Sequence, residues 1–582
     1  MIDQPRTETA SAPAASADAA ASADAMSRRV GDPSRHVLVA VAWPYANGSL
    51  HLGHLAGAYL PADIFARYHR IAGHQVLMVS GSDAHGTPIT VRADQEGVTP
   101  AEIVERFHPE FLRYWEALGI SFDLFTSTMT DNHAEVTHEI FRGLRDHGYV
   151  EARTTDQFYD PEAGRFLPDR YVEGTCPSCG AAGARGDQCD ACGKTLDPID
   201  LINPTSKLTG AVPEVRPTEH YFILLSKLQD DVRTWLEQRQ GWRNHVINWA
   251  LGFVKEGLHD RAITRDIAWG VPLPDDAELD APNDKRIYVW FEAVIGYLSA
   301  AKEWAQQSGD PDAWQRWWTD PAAESYYFVG KDNIPFHAVY WPAQLMGAGD
   351  YNLPTNVPAN QYVTFKGAKA SKSLGVGRSL LDYLDVYQPD ALRYAVATNL
   401  PEYNDVDLTE DELVRRINDE LVATWGNLVN RVFAMTAKNF DGIVPEPGEL
   451  DEIDQQVLAD VDERLAAASA ALEQVELKRG LREAMAGAQA VNVYLNAREP
   501  WKTAKTDRDR TATTLWTALQ AISGLNIAFG PFIPFACAEV DRWLGGDGQL
   551  AGRGWQRTEI AAGQALATAA PLFRKVELSD AE

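Results

Sequence analysis

"WPYANGSLHLGH", residues 43–54, follows the apolar run "VLVAVAW" (Val37–Trp43), and the pair decides how the chain is read. The run is rich in β-branched residues with no polar alternation, which predicts a strand buried on both faces, as in a parallel sheet. Pro44, Asn47 and Gly48 then turn the chain. Ser49 is placed to cap a helix, and "HLGHLAGAYLPADIFARYHR" (51–70) continues with helical spacing. An offset of three sets His51 and His54 on one face of the first turn, at the C-terminal edge of the sheet. Doubly wound folds take their ligands there. Such a pair serves as packing, as a metal site or as an anion site. A helical metal pair usually sits at i, i+4 and brings a carboxylate, which is missing here. Two imidazole donors at a helix N-terminus suit an anion such as phosphate.

The bulk numbers set the frame. A chain of 582 residues, 45% hydrophobic, has room for about two to four domains. Its formal net charge of −29 excludes an overall basic footprint, so any nucleic-acid contact must come from local patches. Residues 1–34 are rich in Ala, Ser, Asp and Pro and hold almost no large apolar side chain, which predicts a disordered tail. That tail lacks the apolar centre of a signal peptide, and its acids argue against a transit peptide. No stretch approaches the roughly 18 to 20 apolar residues that span a bilayer. Four of the five cysteines cluster, against a disulfide framework. A cytoplasmic chain without membrane contact is expected.

From about Arg35 to Arg145 the pattern is strand, helix, strand, helix, with "HQVLMVSGSDAHGTP" (74–88) as a second buried strand entering a polar loop. Residues 150–244 break the rhythm with turn formers and the cysteines, as an insertion does. The α/β rhythm returns with "RIYVWFEAVIGYL" (286–298) and "YYFVGKDNIPFHAVYWPAQL" (326–345). From about Asp411 strand signals vanish. Leu413, Ile417 and Leu421 repeat every four residues, and similar stripes run over 453–475, 481–495 and 514–529, which predicts a helical bundle.

Three constellations carry chemistry. In "CPSCGAAGARGDQCDACG", Cys176 and Cys179, then Cys189 and Cys192, form two C-x-x-C knuckles. Four thiolates at that spacing suit a closed, structural zinc site. Cys537 lies in an apolar helical context and reads as a buried bystander. "FKGAKASKSLGVG" (365–377) places three lysines and two serines among glycines. Its lysines offer point charges to phosphate, although the spacing is not that of a Walker loop, and a solvated basic loop remains open. Trp43, Tyr45, Trp290, Tyr297, His337 and Trp341 fall near predicted strand ends, with an acid at Asp83. They form either ordinary core or a pocket for an apolar side chain beside an ammonium group.

Taken together, these pieces resemble the methionyl-tRNA synthetase family of class I. "HLGH" resembles its first ATP signature and "KASKS" its second. "SGSDAHGTPI", the cysteine knuckles, "YVWFEAVIGY" and "FVGKDNIPFHAVYWPA" fall between them in the family's order, and "WGNLVNR" and "EPWKTAK" resemble its anticodon-binding elements. The resemblance runs from about His36 to about Leu544. It implies a doubly wound, Rossmann-like α/β catalytic domain in two halves (35–149 and 245–358). A zinc-bearing insertion (150–244) lies between them. The second-signature region (359–410) and an all-α anticodon-binding bundle (411–582) follow.

It also implies roles. His51, Gly53 and His54 would meet ATP phosphates, with Lys372 closing from the other side, Lys369 assisting, and Gly330 and Asp332 near the adenosine. Mg²⁺ would travel with ATP. Ala42, Trp43, Tyr45, Asp83, Trp290, Ala293, Tyr297, His337 and Trp341 would form the methionine pocket, with Asp83 on the ammonium group and Tyr45 and His337 recognising sulfur. Asn427, Arg431 and Trp501 would read the anticodon of tRNA(Met). Without an appended RNA-binding module of the kind that often dimerises this family, a monomer is expected. Ala370, Val294 and Asn333 depart from residues common in the family.

Rivals are a class I enzyme for valine, leucine, isoleucine or cysteine, a non-catalytic relative, and a zinc-ribbon nucleic-acid binder. The first three enzymes carry a much larger insertion, and the cysteine enzyme uses mixed Cys and His zinc ligands. A non-catalytic relative would have lost His51, His54, Asp83 or Lys372, and all four are present. A zinc ribbon leaves most of the chain unexplained.

Overall fold

The computed structural model describes residues 32–577, except 168–170, 187–188, 190, 193, 195, 280, 366–367 and 370–377. The tail at 1–34 therefore lies almost wholly outside the described residues.

Five strands build the central sheet: β1 (His36–Val41), β2 (Gln75–Ser82), β3 (Leu124–Ser127), β4 (Glu324–Gly330) and β5 (Ala359–Asn360). Their order is β5-β4-β1-β2-β3 and every pairing is parallel. This is the doubly wound arrangement expected, with its switch point between β1 and β4. Burial explains the unalternating sequence of β1. Val37, Val39 and Val41 pack into one core with Phe65, while Leu38 and Ala40 pack into a second with Ile140 and Leu298. All five are fully buried because helices cover both faces. The strand ends at Val41, two residues before the apolar run does, which frees Ala42 and Trp43 for the crevice.

Two local expectations are corrected. Ser49 does not cap the first helix. His51 does, its side chain accepting from the Gly53 N–H, and the helix starts at Leu52. The run 286–298 contributes only Arg286–Ile287 as strand, followed by short helix Val289–Glu292 and helix Gly296–Gln307. An apolar, aromatic run fills a buried helix as well as a buried strand, and periodicity does not separate them.

Between the two halves, Val150–Asp160 pairs antiparallel with Glu214–Ile223 over ten residues, and a three-stranded sheet of Val172–Thr175, Ala184–Arg185 and Ile202–Ser206 forms inside that hairpin. Downstream, helices Glu452–Glu473, Leu477–Arg498 and Arg508–Phe529 follow the predicted stripes. Leu413, Ile417 and Leu421 are buried in the core that holds Val37, so bundle and sheet share one interior. No helix among the described residues is long and apolar enough to cross a membrane.

Candidate active site

The crevice opens at the switch point, where the chain leaves β1 and β4 at their C-terminal ends. Asp83 N–H donates to the Pro44 carbonyl (2.9 Å) and Ala46 N–H to the Asp83 carbonyl (3.1 Å), so the segments after β1 and β2 are stitched together. The resulting cavity is about 430 Å³. Ala42, Trp43, Tyr45, His51, Gly53, His54, Asp83, Trp290, Ala293, Tyr297, Gly330, Asp332 and His337 all line it. Trp341 does not. It is fully buried behind the pocket, with its indole N–H donating to Tyr327 Oη at 3.1 Å.

The rings of His51 and His54 lie close, with centroids 3.9 Å apart and planes tilted by 47°. His51 Nδ1 accepts from Gly53 N–H (3.1 Å) and His54 Nδ1 from His51 N–H (3.3 Å). With Nδ1 accepting, each neutral ring carries its proton on Nε2, so the pair supplies donors at a helix start. Directly after His54 the helix widens into a π-turn, Leu55–Tyr59, and a second π-turn, Phe336–Tyr340, carries His337. Such turns concentrate at functional sites, and no residue pattern announced them.

At the other end sits a buried charge network. Burial and the nearby Glu292 carboxylate push the Asp83 carboxyl well above its usual range. A group in that state gains by meeting an ammonium ion. Glu292, itself fully buried, lies 2.5 Å from His133 Nε2 and 3.1 Å from His85 Nδ1. Burial raises Glu292, but the two imidazoles outweigh it and hold the carboxyl low. Sequence reading missed His85, Glu292 and His133. The first two stand inside quoted motifs, where an acid in an apolar run was the available signal.

Aromatic rings form the walls. The Trp43 indole lies against two glycines: a Cβ on Gly81 would come within 2.3 Å of it, and one on Gly296 within 2.8 Å. Trp290 stacks on Phe336 at 4.0 Å and meets Tyr45 edge-on at 6.1 Å. Burial holds His337 neutral, its pKa lowered to about 4. Its Nδ1–H donates to the Asn333 carbonyl (2.9 Å), so its Nε2 accepts from Tyr297 O–H (2.7 Å). Both ring nitrogens are thus engaged, and His337 orients Tyr297. Gly330 begins the turn that carries Asp332, whose carboxylate accepts from Tyr362 O–H. Lys369 lies on the short strand Ala368–Lys369, paired with Thr364–Phe365; Lys372 lies outside the described residues.

A family model for class I tRNA synthetases (M) matches residues 37–433. A second, for the anticodon binding domain of methionyl tRNA ligase, matches residues 444–582. The chain belongs to the methionine–tRNA ligase family of class I aminoacyl-tRNA synthetases. It is 48% identical to the methionine–tRNA ligase of Roseiflexus castenholzii, over 93% of this chain and 96% of that protein. It is 51% identical to the one from Dehalococcoides mccartyi, over 94% and 98%. Among solved structures it resembles Mycobacterium tuberculosis methionyl-tRNA synthetase in complex with methionyl-adenylate. There the TM-score is 0.76 and the identity 27%, with 93% of this chain and 99% of that chain covered.

Two further sites complete this family member. The four clustered cysteine sulfurs lie within 4.8 Å of one another, with Cys176–Cys192 at 4.0 Å and Cys179–Cys189 at 3.6 Å. A tetrahedral ion with bonds of about 2.3 Å to sulfur needs edges of about 3.8 Å, so the donor set fits zinc. In the bundle, Asn427 and Arg431 share a face of helix Asn427–Phe440, and the Arg431 guanidinium lies 5.7 Å from the Trp501 ring. Arg431 donates to Asn492 Oδ1 at 2.7 Å, a partner the sequence reading did not single out. Trp501 is 40% exposed, so its ring is open to a partner.

Proposed function

We propose that the chain activates L-methionine with ATP and transfers the methionyl group to the 3′ end of tRNA(Met). In the first step a methionine carboxylate oxygen bonds to the α-phosphorus, and the bond to the bridging oxygen breaks. Pyrophosphate leaves with the electron pair. Charge builds on phosphate oxygens, so the chain's task is positioned donors. The Nε2–H groups of His51 and His54 meet that charge at the helix start, Gly53 lets the phosphates approach the backbone, and Lys372 closes from the other side with Lys369 assisting. Gly330 and Asp332 hold the adenosine. Mg²⁺ bound with ATP neutralises phosphate charge.

Asp83 takes the methionine ammonium group. Ala42, Trp43, Tyr45, Trp290, Ala293 and Tyr297 enclose the side chain, and polarizable sulfur gains from ring contacts. His337 acts by holding the Tyr297 hydroxyl, and Trp341 by supporting Tyr327 behind it. Because an apolar pocket separates chains differing by one methylene by only about 1–3 kcal/mol, that ring geometry carries the discrimination.

Cys176, Cys179, Cys189 and Cys192 hold one zinc ion, which fastens the insertion. Asn427, Arg431 and Trp501 read unstacked anticodon bases. One chain carries both ends, so a monomer suffices, and the thiolate cluster suits the reducing cytoplasm. The observation that carries this reading is the single crevice with paired histidine donors at one end and a buried, raised carboxyl at the other. Charging of tRNA(Met) with labelled methionine tests it. The wild-type protein charges, Asp83→Asn does not, and charging with another amino acid would refute it.

A further inference from the structure

A second cavity, of about 1070 Å³, lies beside the crevice, and His85 lines it. Trp269 and Tyr288 line it, the Arg265 guanidinium lying 3.9 Å from the Tyr288 ring centroid, and the charged residues around the wall cancel, four cations against four acids. On a chain of net charge −29 such a neutral wall repels a polyanion less than the acidic surface around it. Stacking faces beside cations are the means by which proteins take single-stranded RNA. The Trp269 indole N–H donates to the Ala84 carbonyl (2.7 Å), and its ring meets His85 edge-on at 5.6 Å.

His85 lines this cavity with its side chain, and its backbone meets the crevice residue Asp83. Its backbone N–H donates to Asp83 Oδ1 at 3.2 Å, which fixes it to the residue proposed to hold the amino group of methionine. The carbonyl carbon of the activated amino acid is two bonds from that nitrogen. On the far side, Glu292 Oε1 lies 3.1 Å from His85 Nδ1, and Glu292 Oε2 lies 2.5 Å from His133 Nε2. His133 Nδ1 is in turn 3.0 Å from Ser299 Oγ. A carboxylate partner fixes the His85 proton on Nδ1 and leaves Nε2 as an acceptor. That is the constellation of a general base held by an acid.

We propose that His85 is the general base of the transfer step, reached by the terminal ribose of the RNA through the second cavity. The proposal rests on the adenylate reading above. The ribose oxygen bonds to the methionyl carbonyl carbon, and the bond from that carbon to the phosphate oxygen breaks. AMP leaves with the electron pair, and the hydroxyl proton passes to His85 Nε2. Glu292 acts through His85 as a positioning residue.

The test uses the full chain with methionyl-adenylate formed in place. Transfer to tRNA(Met) is followed by rapid quench beside methionine-dependent ATP–pyrophosphate exchange. His85→Asn keeps a donor toward Glu292 and removes the Nε2 acceptor. Its transfer rate should fall about 100-fold more than its exchange rate, the scale of a lost general base. In His85→Ala, added imidazole should restore part of the transfer rate, a readout that packing alone does not move. An equal fall in both rates, or no fall in transfer, would overturn the proposal. Failure of wild-type exchange with methionine would instead strike the adenylate reading.

Discussion

Arg393 and Asp63 form an ion pair at 2.7 Å with both side chains fully out of solvent. The same guanidinium donates to the carbonyls of Leu118, Pro531 and Phe532. It thereby ties the helix after His54 to the end of the bundle. Removing Arg393 takes one of two cations from the buried Asp63, Arg67 remaining at 2.9 Å, and leaves three buried carbonyls without that donor, a loss at the lower end of the about 3–5 kcal/mol of a broken buried pair. Arg393→Met should therefore lower unfolding free energy on that scale, read from the urea midpoint; a loss below about 1 kcal/mol would contradict it.

The pH dependence of that pair has a definite sign. Burial raises the Asp63 carboxyl, but Arg67, Arg393 and the Ser121 donors outweigh it and hold the group well below its usual range. A depressed folded pKa gives stability that is present above the unfolded value, about 4, and is lost as pH falls through the folded one. Wild-type stability should drop below about pH 4, and the drop should be smaller in Arg393→Met. Parallel curves for the two proteins would contradict this.

Asp83 titrates the opposite way. Burial and Glu292 raise its pKa, so the free protein favours the protonated carboxyl below that raised value. An ammonium ligand favours the carboxylate, and binding expels a proton. Calorimetry of methionine binding in buffers of different ionisation enthalpy should show proton release, larger at the lower pH. Proton uptake would contradict the assignment of Asp83 to the amino group.

Trp43 is held by the absence of side chains at Gly81 and Gly296. Gly296 opens helix Gly296–Gln307, where alanine would ordinarily gain about 1 kcal/mol in propensity. Here its Cβ would meet the indole at 2.8 Å. Gly296→Ala should raise KM for methionine about 10-fold, with a smaller change in KM for ATP. Equal changes in both would place Trp43 outside the methionine wall.

At the RNA-reading end, a stacked base is worth about 1–3 kcal/mol. Trp501→Ala should reduce charging of tRNA(Met) by about 10- to 100-fold through KM for tRNA, with far less effect on exchange. A matching loss in exchange would assign Trp501 to packing.

What the sequence made legible is what is local. The unbroken apolar run of β1, the paired histidines three apart and the two C-x-x-C knuckles each carry their meaning within a few residues. The buried network was not legible, because Glu292 reaches His133 across 159 positions and His85 across 207. Asp63 and Arg393 are 330 apart. No periodicity reports contacts at such separations. The sequence offers His51 as packing, metal ligand or phosphate donor and does not show that it caps its own helix, which it does because its Nδ1 reaches the Gly53 N–H. The π-turns widen the helices behind His54 and at His337 through backbone geometry that apolar spacing does not record.

The central claim is tested most directly by amino-acid-dependent ATP–pyrophosphate exchange, run with all twenty amino acids and with Lys372→Ala beside the wild type. Exchange should depend on methionine and should fall about 100-fold in Lys372→Ala, as when a positioned charge-stabilising group is removed. Exchange driven by leucine or valine, or none at all from a folded, zinc-loaded protein, would contradict the account.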